Sequence, residues 1–191
     1  MVIGVSGYTG SGKSTVAKYL CERHNFALID ADKTARKLML ENSELISKVG
    51  KAFGLVQNGK IDFAQLGNIA FESAENLQTL NSITFPYILS AIKEGIASLS
   101  RPLVLDAALL PLISPKEICT FAIWVESEIS QRIKRLQKRT DLSVDAIKNR
   151  IEKQIQLMSK PQDGGFWRFV DNNSTEESLF SKVSTLLSAS S

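Results

Sequence analysis

One short segment near the start of the chain constrains the fold more than any other. Residues 7–15 have the sequence GYTGSGKST, a full match to the pattern G-x-x-x-x-G-K-[S/T]. The segment follows the apolar run Val2–Ser6 and opens a stretch with helical periodicity, Lys13–Arg23. A strand, a glycine-rich turn and a helix in this order predict a phosphate-binding loop in an α/β fold. The alternative, a glycine-rich turn that matches by chance, leaves the flanking strand and helix unexplained.

The residues of this loop have separate expected roles in holding a nucleoside triphosphate. Glycine has no Cβ, so backbone N–H groups can converge on phosphate oxygens, and the helix start adds unpaired N–H donors. Lys13 is expected to reach the β- and γ-phosphates of ATP, and the Ser14 hydroxyl to bind Mg²⁺. Thr15 is expected near the α-phosphate. The ATP-binding residues predicted in the loop are Gly10, Ser11, Gly12, Lys13, Ser14 and Thr15.

Short β-rich runs alternate with helical stretches along the chain, which is typical of an α/β protein with a mainly parallel sheet. Five strands are predicted, at Val2–Ser6, Ala27–Asp30, Leu103–Asp106, Phe121–Val125 and Arg168–Asp171. The first four are apolar runs, as expected for strands covered on both faces. Helices are predicted at Lys13–Arg23, 33–40, Glu44–Phe53, Ala64–Phe71, Ala74–Ser82, Tyr87–Leu99, Glu128–Arg139, Val144–Met158 and Glu176–Leu187. The predicted N-caps are Asp62, Ser143 and Thr175.

The second and third predicted strands are separated by about 70 residues, too many for one crossover helix. These residues contain several predicted helices and an Asn58-Gly59 turn. We therefore predict a single kinase-like domain over 1–191, with a core of 1–32 and 101–191 and a helical insert of about 33–100. The predicted fold is a five-stranded, mainly parallel sheet flanked by helices, with the insert as a substrate subdomain and with a helical lid.

Composition excludes several other classes of protein. The chain has 43% apolar and 23% charged residues, which is typical of a globular protein. No apolar run approaches the ~18 residues that span a bilayer, and the first residues lack the pattern of a signal peptide. Cys21 and Cys119 do not have a metal-binding spacing, which argues against a zinc site or a disulfide framework. We expect a cytoplasmic protein with no membrane partner, as a monomer or weak homo-oligomer.

Acidic residues follow the second predicted strand, at the edge where open α/β sheets bind ligands. Asp30 and Asp32 would share a face if that strand continued. Phosphoryl transfer to an alcohol needs a group that accepts or orients the hydroxyl proton. The single histidine, His24, lies at the far end of the helix after the loop, so Asp32 is the predicted general base. The alternative for both aspartates is a turn or a helix N-cap.

Asp106 ends the third predicted strand in the same way. Its position resembles that of the aspartate which holds Mg²⁺ in loops of this kind, so Ser14 and Asp106 are the predicted metal-binding residues. A turn residue that ends the strand is the alternative.

Basic residues are concentrated at 132–160, where nine Lys/Arg stand against three Asp/Glu. Arg132, Arg135 and Arg139 are spaced to share one helical face. With Arg150 and Lys153 on the next helix, they predict a lid of about 132–160 that closes over a bound triphosphate. Arg135 is predicted to bind ATP, and Arg139 to contact the transferred group. The alternatives are a solvated helix face and a nucleic-acid site, and the lack of interleaved aromatic residues argues against nucleic acid.

These segments together resemble the dephospho-CoA kinase family. The most discriminating is DADxxAR at 30–36, because the phosphate loop is shared by many families. The others are LNxITxPxI at 80–88, Arg135-x-x-x-Arg139 with an acidic-Leu-Ser turn after it, RIxxQ at 150–154 and DNNS at 171–174. They follow the family's order across nearly the whole chain.

The resemblance implies the last step of coenzyme A synthesis, in which ATP phosphorylates the 3′-hydroxyl of dephospho-CoA. It implies that Asp32 is the base, that Arg36 helps to hold the acceptor and that the insert covers the pantetheine arm. It also implies that Asn172 and Asn173 lie against the adenine of ATP. The alternatives are another small-molecule kinase, for a nucleoside monophosphate or a sugar acid, and a nucleotide-dependent protein that binds nucleic acid.

The chain departs from the family's pattern in three places. Phe85-Pro86 stands where the family has His-Pro, and residues 106–112 are DAALLPL where it has D-x-P-L-L-F-E. Phe166-Trp167-Arg168 replaces the Ala-Asp that commonly precedes the last strand.

Overall fold

The computed structural model of the chain describes residues 1–57, 60–70, 72–162 and 164–188. The predicted Asn58-Gly59 turn lies outside the described residues. In chain order the elements are β1 (Val2–Ser6), α1 (Lys13–His24), β2 (Ala27–Asp30), α2 (Ala31–Glu41), α3 (Ser43–Phe53), β3 (Val56–Gln57), β4 (Lys60–Ile61), α4 (Phe63–Ala70), α5 (Ala74–Ala97), β5 (Leu103–Asp106), β6 (Phe121–Glu126), α6 (Ile129–Gln137), α7 (Val144–Leu157), β7 (Trp167–Asp171) and α8 (Glu176–Ser188).

The chain divides into two compact units. The first contains Met1–Ile29 and Leu99–Ser191, and the second is Asp30–Ser98. Among the described residues, no helix combines the length and the apolar character that crossing a membrane requires.

Five strands form the main sheet, in the order β2-β5-β1-β6-β7. β1 pairs in parallel with β5 and β6, and β6 pairs in parallel with β7. The carboxyl ends of these strands therefore meet at one edge, where Val5 of β1 lies opposite Asp106 of β5. All five predicted strands and the predicted fold class are confirmed.

On one face of the sheet, the core of the first unit lies between the strands and helices α1 and α8. Alternate residues of a strand face the same side of a sheet, and α1 and α8 bury their apolar faces against those residues. The buried residues of this core are Ile3, Val5, Val16, Ala17, Leu20, Phe26, Val104, Phe121, Ile123, Val125, Val170, Leu179 and Val183.

Strand β2 differs from its prediction in burial. We expected it to be covered on both faces, but Leu28 is 47% exposed. The reason is its place at the edge of the sheet, because an edge strand has a neighbour on one side only.

The second unit consists of α2–α5 and a short antiparallel pair, β3 with β4, which was not predicted. Its core contains Met39, Leu45, Ile46, Val49, Leu55, Ile61 and Leu66. The three predicted N-caps of the chain are confirmed, since Asp62, Ser143 and Thr175 each accept a hydrogen bond from a backbone N–H two or three residues ahead.

Helix α5 corrects a second prediction. We predicted two helices, Ala74–Ser82 and Tyr87–Leu99. A break between them would agree with the cost of proline inside a helix, about 3 kcal/mol, because proline has no N–H donor. The structure has one helix through Pro86. Ile83 and Tyr87 pack against the core of the second unit, and this burial on both sides of the proline offsets the lost hydrogen bond.

Candidate functional site

The loop between β1 and α1 depends on glycine at two positions. Gly10 and Gly12 have φ angles of 77° and 100°, in the left-handed region that other residues rarely adopt. A Cβ on Gly10 would lie 3.0 Å from the carbonyl oxygen of Arg132, and a Cβ on Gly12 would collide with the side-chain amide of Asn172. Backbone conformation and close packing therefore both require these glycines.

The carbonyl oxygens of residues 9, 10 and 11 all accept hydrogen bonds from side chains. Arg132 Nε donates to the first at 2.9 Å, and Arg135 Nη1 donates to the second and third at 3.2 and 3.3 Å. Asn172 Nδ2 donates to the third at 2.8 Å. Since each of these bonds orients a peptide group, the side chains of α6 and of the segment after β7 set the conformation of the loop.

Several amide N–H groups of the loop remain available. Among the hydrogen bonds of the described residues, none uses the amide N–H of Gly10, Gly12, Lys13 or Ser14. The last two belong to the first turn of α1, a helix of 12 residues. Unpaired amides at a helix start, with the positive end of the helix dipole, bind anions such as phosphate.

Lys13 and Asp106 meet beside this loop. The Lys13 Nζ lies 3.9 Å from the Asp106 carboxylate, which ends β5 and is only 7% exposed. The parallel pairing of β1 with β5 brings the two together, because the loop begins where β1 ends. The cation therefore belongs to the same residue as one of the amides that are available to an anion, and the carboxylate lies within 3.9 Å of that cation.

The arginines of the predicted lid lie in two different environments. Arg132 is 2% exposed, its guanidinium lies 4.9 Å from the Tyr8 ring centroid, and burial lowers its pKa from the ordinary value. Arg135 is half-buried and bonded to the loop, and its predicted contact with ATP stays a prediction. Arg139 is exposed and lies in a turn, because α6 ends at Gln137. The prediction that all three share one helical face is therefore wrong for Arg139.

The two asparagines after β7 have different partners. Asn172 is buried, and its backbone carbonyl oxygen accepts a hydrogen bond from Arg135 Nη2 at 2.8 Å. The Asn173 Oδ1 accepts the Glu128 amide N–H at 2.8 Å, just before α6. Their predicted contact with adenine stays a prediction.

The two aspartates of the predicted acceptor side, Asp30 and Asp32, have different positions in the structure. Asp30 ends β2 and accepts the Lys33 amide N–H at 2.9 Å, so it is the N-cap of α2, which was the alternative. The idea that both aspartates share a strand face is wrong, because Asp32 lies in the first turn of α2. Asp32 and Arg36 are exposed and four residues apart on that helix, so they share a face.

His24 is the last residue of α1, at the opposite end of this helix from the phosphate loop, as predicted. Its ring lies 5.5 Å from the ring of Tyr19.

Sequence reasoning missed two contacts that hold Tyr8 and Thr9, which form the tip of the loop. The Gln154 Oε1 accepts the Thr9 amide N–H at 2.6 Å, and the Tyr8 hydroxyl donates to the Met158 carbonyl oxygen at 3.1 Å. The motif at 150–154 included Gln154 without a role. No sequence signal could have assigned one, because the two bonded residues are 145 positions apart.

Comparisons with known proteins agree with this geometry. The family model described as dephospho-CoA kinase matches residues 1–177. The chain belongs to the dephospho-CoA kinase family. A dephospho-CoA kinase of Carboxydothermus hydrogenoformans is 35% identical, over 97% of this chain and 92% of that protein. The family prediction is therefore confirmed, and with it the prediction of an ATP-using kinase.

Solved structures show the same fold. A protein of Thermus thermophilus superposes with a TM-score of 0.78 at 21% identity, covering 100% of this chain and 98% of that one. A dephospho-CoA kinase from Campylobacter jejuni superposes with a TM-score of 0.65 at 24% identity, covering 100% and 96%. The fold of the dephospho-CoA kinase family therefore extends over the whole chain.

Proposed function

We propose that the chain transfers the γ-phosphoryl group of ATP to the 3′-hydroxyl of dephospho-CoA, which gives coenzyme A. The observation that carries the proposal is the loop after β1, whose available amides lie beside Lys13 in a chain of the dephospho-CoA kinase family. A kinase needs little covalent chemistry from its own groups, so catalysis depends on positioning and on charge.

The loop binds the phosphates of ATP. Its available amides, those of Gly10, Gly12, Lys13 and Ser14, receive the β- and γ-phosphates, and the Lys13 side chain adds a positive charge beside the same oxygens. Thr15, in the first turn of α1, lies near the α-phosphate. Asn172 and Asn173 line the adenine side, and Arg135 supports the nucleotide.

Ser14 and Asp106 supply the protein's ligands to Mg²⁺. A hydroxyl and a carboxylate are oxygen donors of the kind that Mg²⁺ prefers, and Mg²⁺ takes its other ligands from water and phosphate. Among the described residues, no group of three or more His, Cys, Asp or Glu side chains could hold a metal, which fits an ion carried in with ATP. When bound, the ion neutralises charge on the phosphates.

The acceptor is bound through α2 and the rest of the helical insert. Asp32 accepts the proton of the 3′-hydroxyl, and Arg36, one turn later, holds the acceptor. The insert at about 33–100 covers the pantetheine arm. Arg139 is an exposed cation after α6, in the lid at about 132–160, and it neutralises charge on the transferred group.

The protein acts in the cytoplasm as a monomer or weak homo-oligomer, without a nucleic-acid partner.

The test offers ATP and Mg²⁺ with one acceptor at a time and follows ADP release, with mass spectrometry of the product. We expect dephospho-CoA to exceed nucleoside monophosphates and gluconate widely in kcat/KM, and to gain one phosphoryl group. Faster phosphorylation of another acceptor would contradict the proposal. So would little acceptor-stimulated ADP release together with nucleic-acid affinity that falls steeply with salt.

A further inference from the structure

The tip of the phosphate loop is held by a contact that the proposed reaction does not use. The Thr9 amide N–H donates to Gln154 Oε1 of α7 at 2.6 Å, and the Thr9 carbonyl oxygen accepts from Arg132 Nε of α6 at 2.9 Å. Both backbone polar groups of Thr9 are therefore bonded to side chains from two helices that follow it by more than 120 residues.

These two helices form a firm support for the tip. Ile133 and Leu136 of α6 pack with Ile147 and Ile151 of α7 in one apolar cluster. Gln154 lies three residues after Ile151, so its stem starts from the packed part of α7. A side chain rooted in a packed helix loses less freedom when it forms a hydrogen bond, because its backbone is already fixed.

The residue next to Thr9 is fixed to the same helix. The Tyr8 hydroxyl donates to the Met158 carbonyl oxygen just after α7, and the Tyr8 ring lies edge-on to buried Trp124 at 5.0 Å. The tip is thus bonded at two consecutive residues to the end of α7. The glycines that follow it at positions 10 and 12 are otherwise free to adopt many backbone conformations.

We propose that Gln154 is a positioning residue for nucleotide binding, which acts through the Thr9 amide. Its hydrogen bond holds the loop in the conformation that presents the following amides to the phosphates of ATP. The inference rests on the proposed function, since it concerns the same phosphate site. Holding a loop in its bound conformation lowers the entropy lost on binding, so its effect falls on nucleotide affinity.

The proposal predicts a dependence on the number of phosphates. The available loop amides are proposed to bind the β- and γ-phosphates. Loss of the Gln154 hydrogen bond should therefore lower the affinity for ADP and ATP and leave the affinity for AMP unchanged. The expected loss is about five- to tenfold, the contribution of one hydrogen bond. The KM for ATP should rise by about the same factor with kcat nearly unchanged, as when binding is lost equally in ground and transition states.

The experiment compares Gln154→Met with Gln156→Met. Methionine keeps the length of glutamine and removes the amide oxygen, and Gln156 is exposed on the same helix. Calorimetry measures the affinity for AMP, ADP and a non-hydrolysable ATP analogue, and NMR hydrogen exchange follows the Thr9 amide. Gln154→Met should lower the affinity for ADP and for the ATP analogue, leave the affinity for AMP unchanged, and speed hydrogen exchange at the Thr9 amide. Gln156→Met should match wild type in all of these measurements. Gln154→Glu, which keeps an acceptor oxygen, should restore protection of that amide.

Two results for Gln154→Met would overturn the inference. One is an equal loss of affinity for AMP, ADP and the ATP analogue, and the other is an unchanged affinity for ADP although the Thr9 amide exchanges faster. Gln154→Ala provides the same measurements if the methionine variant does not fold. A wild-type protein without acceptor-dependent ADP release would refute the proposed function instead. The nucleotide series needs no acceptor, so it would still decide the role of Gln154.

Discussion

Two segments follow strand ends of the main sheet, and they are held in opposite ways. The loop after β1 is bonded to side chains 123 to 161 residues away, on α6, on α7 and after β7. The start of α2, after β2, is held by bonds within four residues, from the Lys33 amide to the Asp30 carboxylate and from the Thr34 hydroxyl to the Asp30 carbonyl oxygen. The phosphate site is thus a product of the whole first unit, whereas the proposed base lies on a locally capped helix.

This difference separates two kinds of dependence. A loop fixed by distant side chains keeps its geometry only while the elements around it are folded and packed. A capped helix start keeps its backbone conformation through its own residues. Substitutions in the two segments should therefore have different consequences for activity and stability.

The largest effect is expected at the phosphate loop. Lys13→Ala should lower kcat for phosphoryl transfer by about 10³-fold, the cost of losing a charge that stabilises the transition state. The Lys13 side chain is 19% exposed, but its 3.9 Å contact with Asp106 is too long for a hydrogen bond, so the thermal midpoint should stay near that of wild type. Lys18→Ala, exposed on the same helix, is the control and should retain activity. An unfolded Lys13→Ala protein would mean that the lysine has a structural role.

The second effect is expected on the locally held helix. Asp32→Asn should lower kcat by about 10²-fold while the KM values change little, because the amide cannot accept the hydroxyl proton. Steady-state kinetics with both substrates measure this, with Glu41→Gln, exposed on the same helix, as the control. Near-normal turnover of Asp32→Asn would remove this residue from the mechanism.

A smaller effect tests the distant support directly. Asn172→Ala removes one of the two donors to the Ser11 carbonyl oxygen, which keeps its bond from Arg135 Nη1. The change should destabilise the protein by about 0.5–1.5 kcal/mol, the net contribution of one hydrogen bond. The affinity for ADP should fall by about tenfold, because the loop loses part of its support. Denaturant unfolding and calorimetry measure the two changes, with exposed Asn149→Ala as the control. Loss of stability with unchanged ADP affinity would show that the loop keeps its shape without Asn172.

The smallest effect is expected at the local cap. Asp30→Ala should lower the free energy of unfolding by about 1 kcal/mol, the usual contribution of an N-cap, with little change in nucleotide affinity. Asn42→Ala, which removes the N-cap of α3, should cost a similar amount. Thermal unfolding of the two variants checks this. A large loss of nucleotide affinity in Asp30→Ala alone would show that the two segments are not independent.

In two of the places where the sequence prediction failed, the tertiary structure decided the outcome. Two helices were predicted where the structure has α5, but packing of the residues on both sides of Pro86 keeps one helix continuous. The apolar run of β2 predicted burial on both faces, but its place at the sheet edge left Leu28 exposed. The helix α6 was predicted to continue to residue 139, so that three arginines would share a face, but it ends at Gln137.

The sequence by itself determined the five strands of the main sheet, the phosphate loop, three of the helix caps and the family. These depend on residues close together in the chain, whose spacing and backbone preferences are visible in one segment. Only the tertiary structure decided which side chains hold the loop: Arg132, Arg135, Gln154 and Asn172 reach it across more than 120 residues. The physical reason is that a hydrogen bond requires two groups to meet in space. Folding of the whole first unit brings them together, and no local pattern records the pairing.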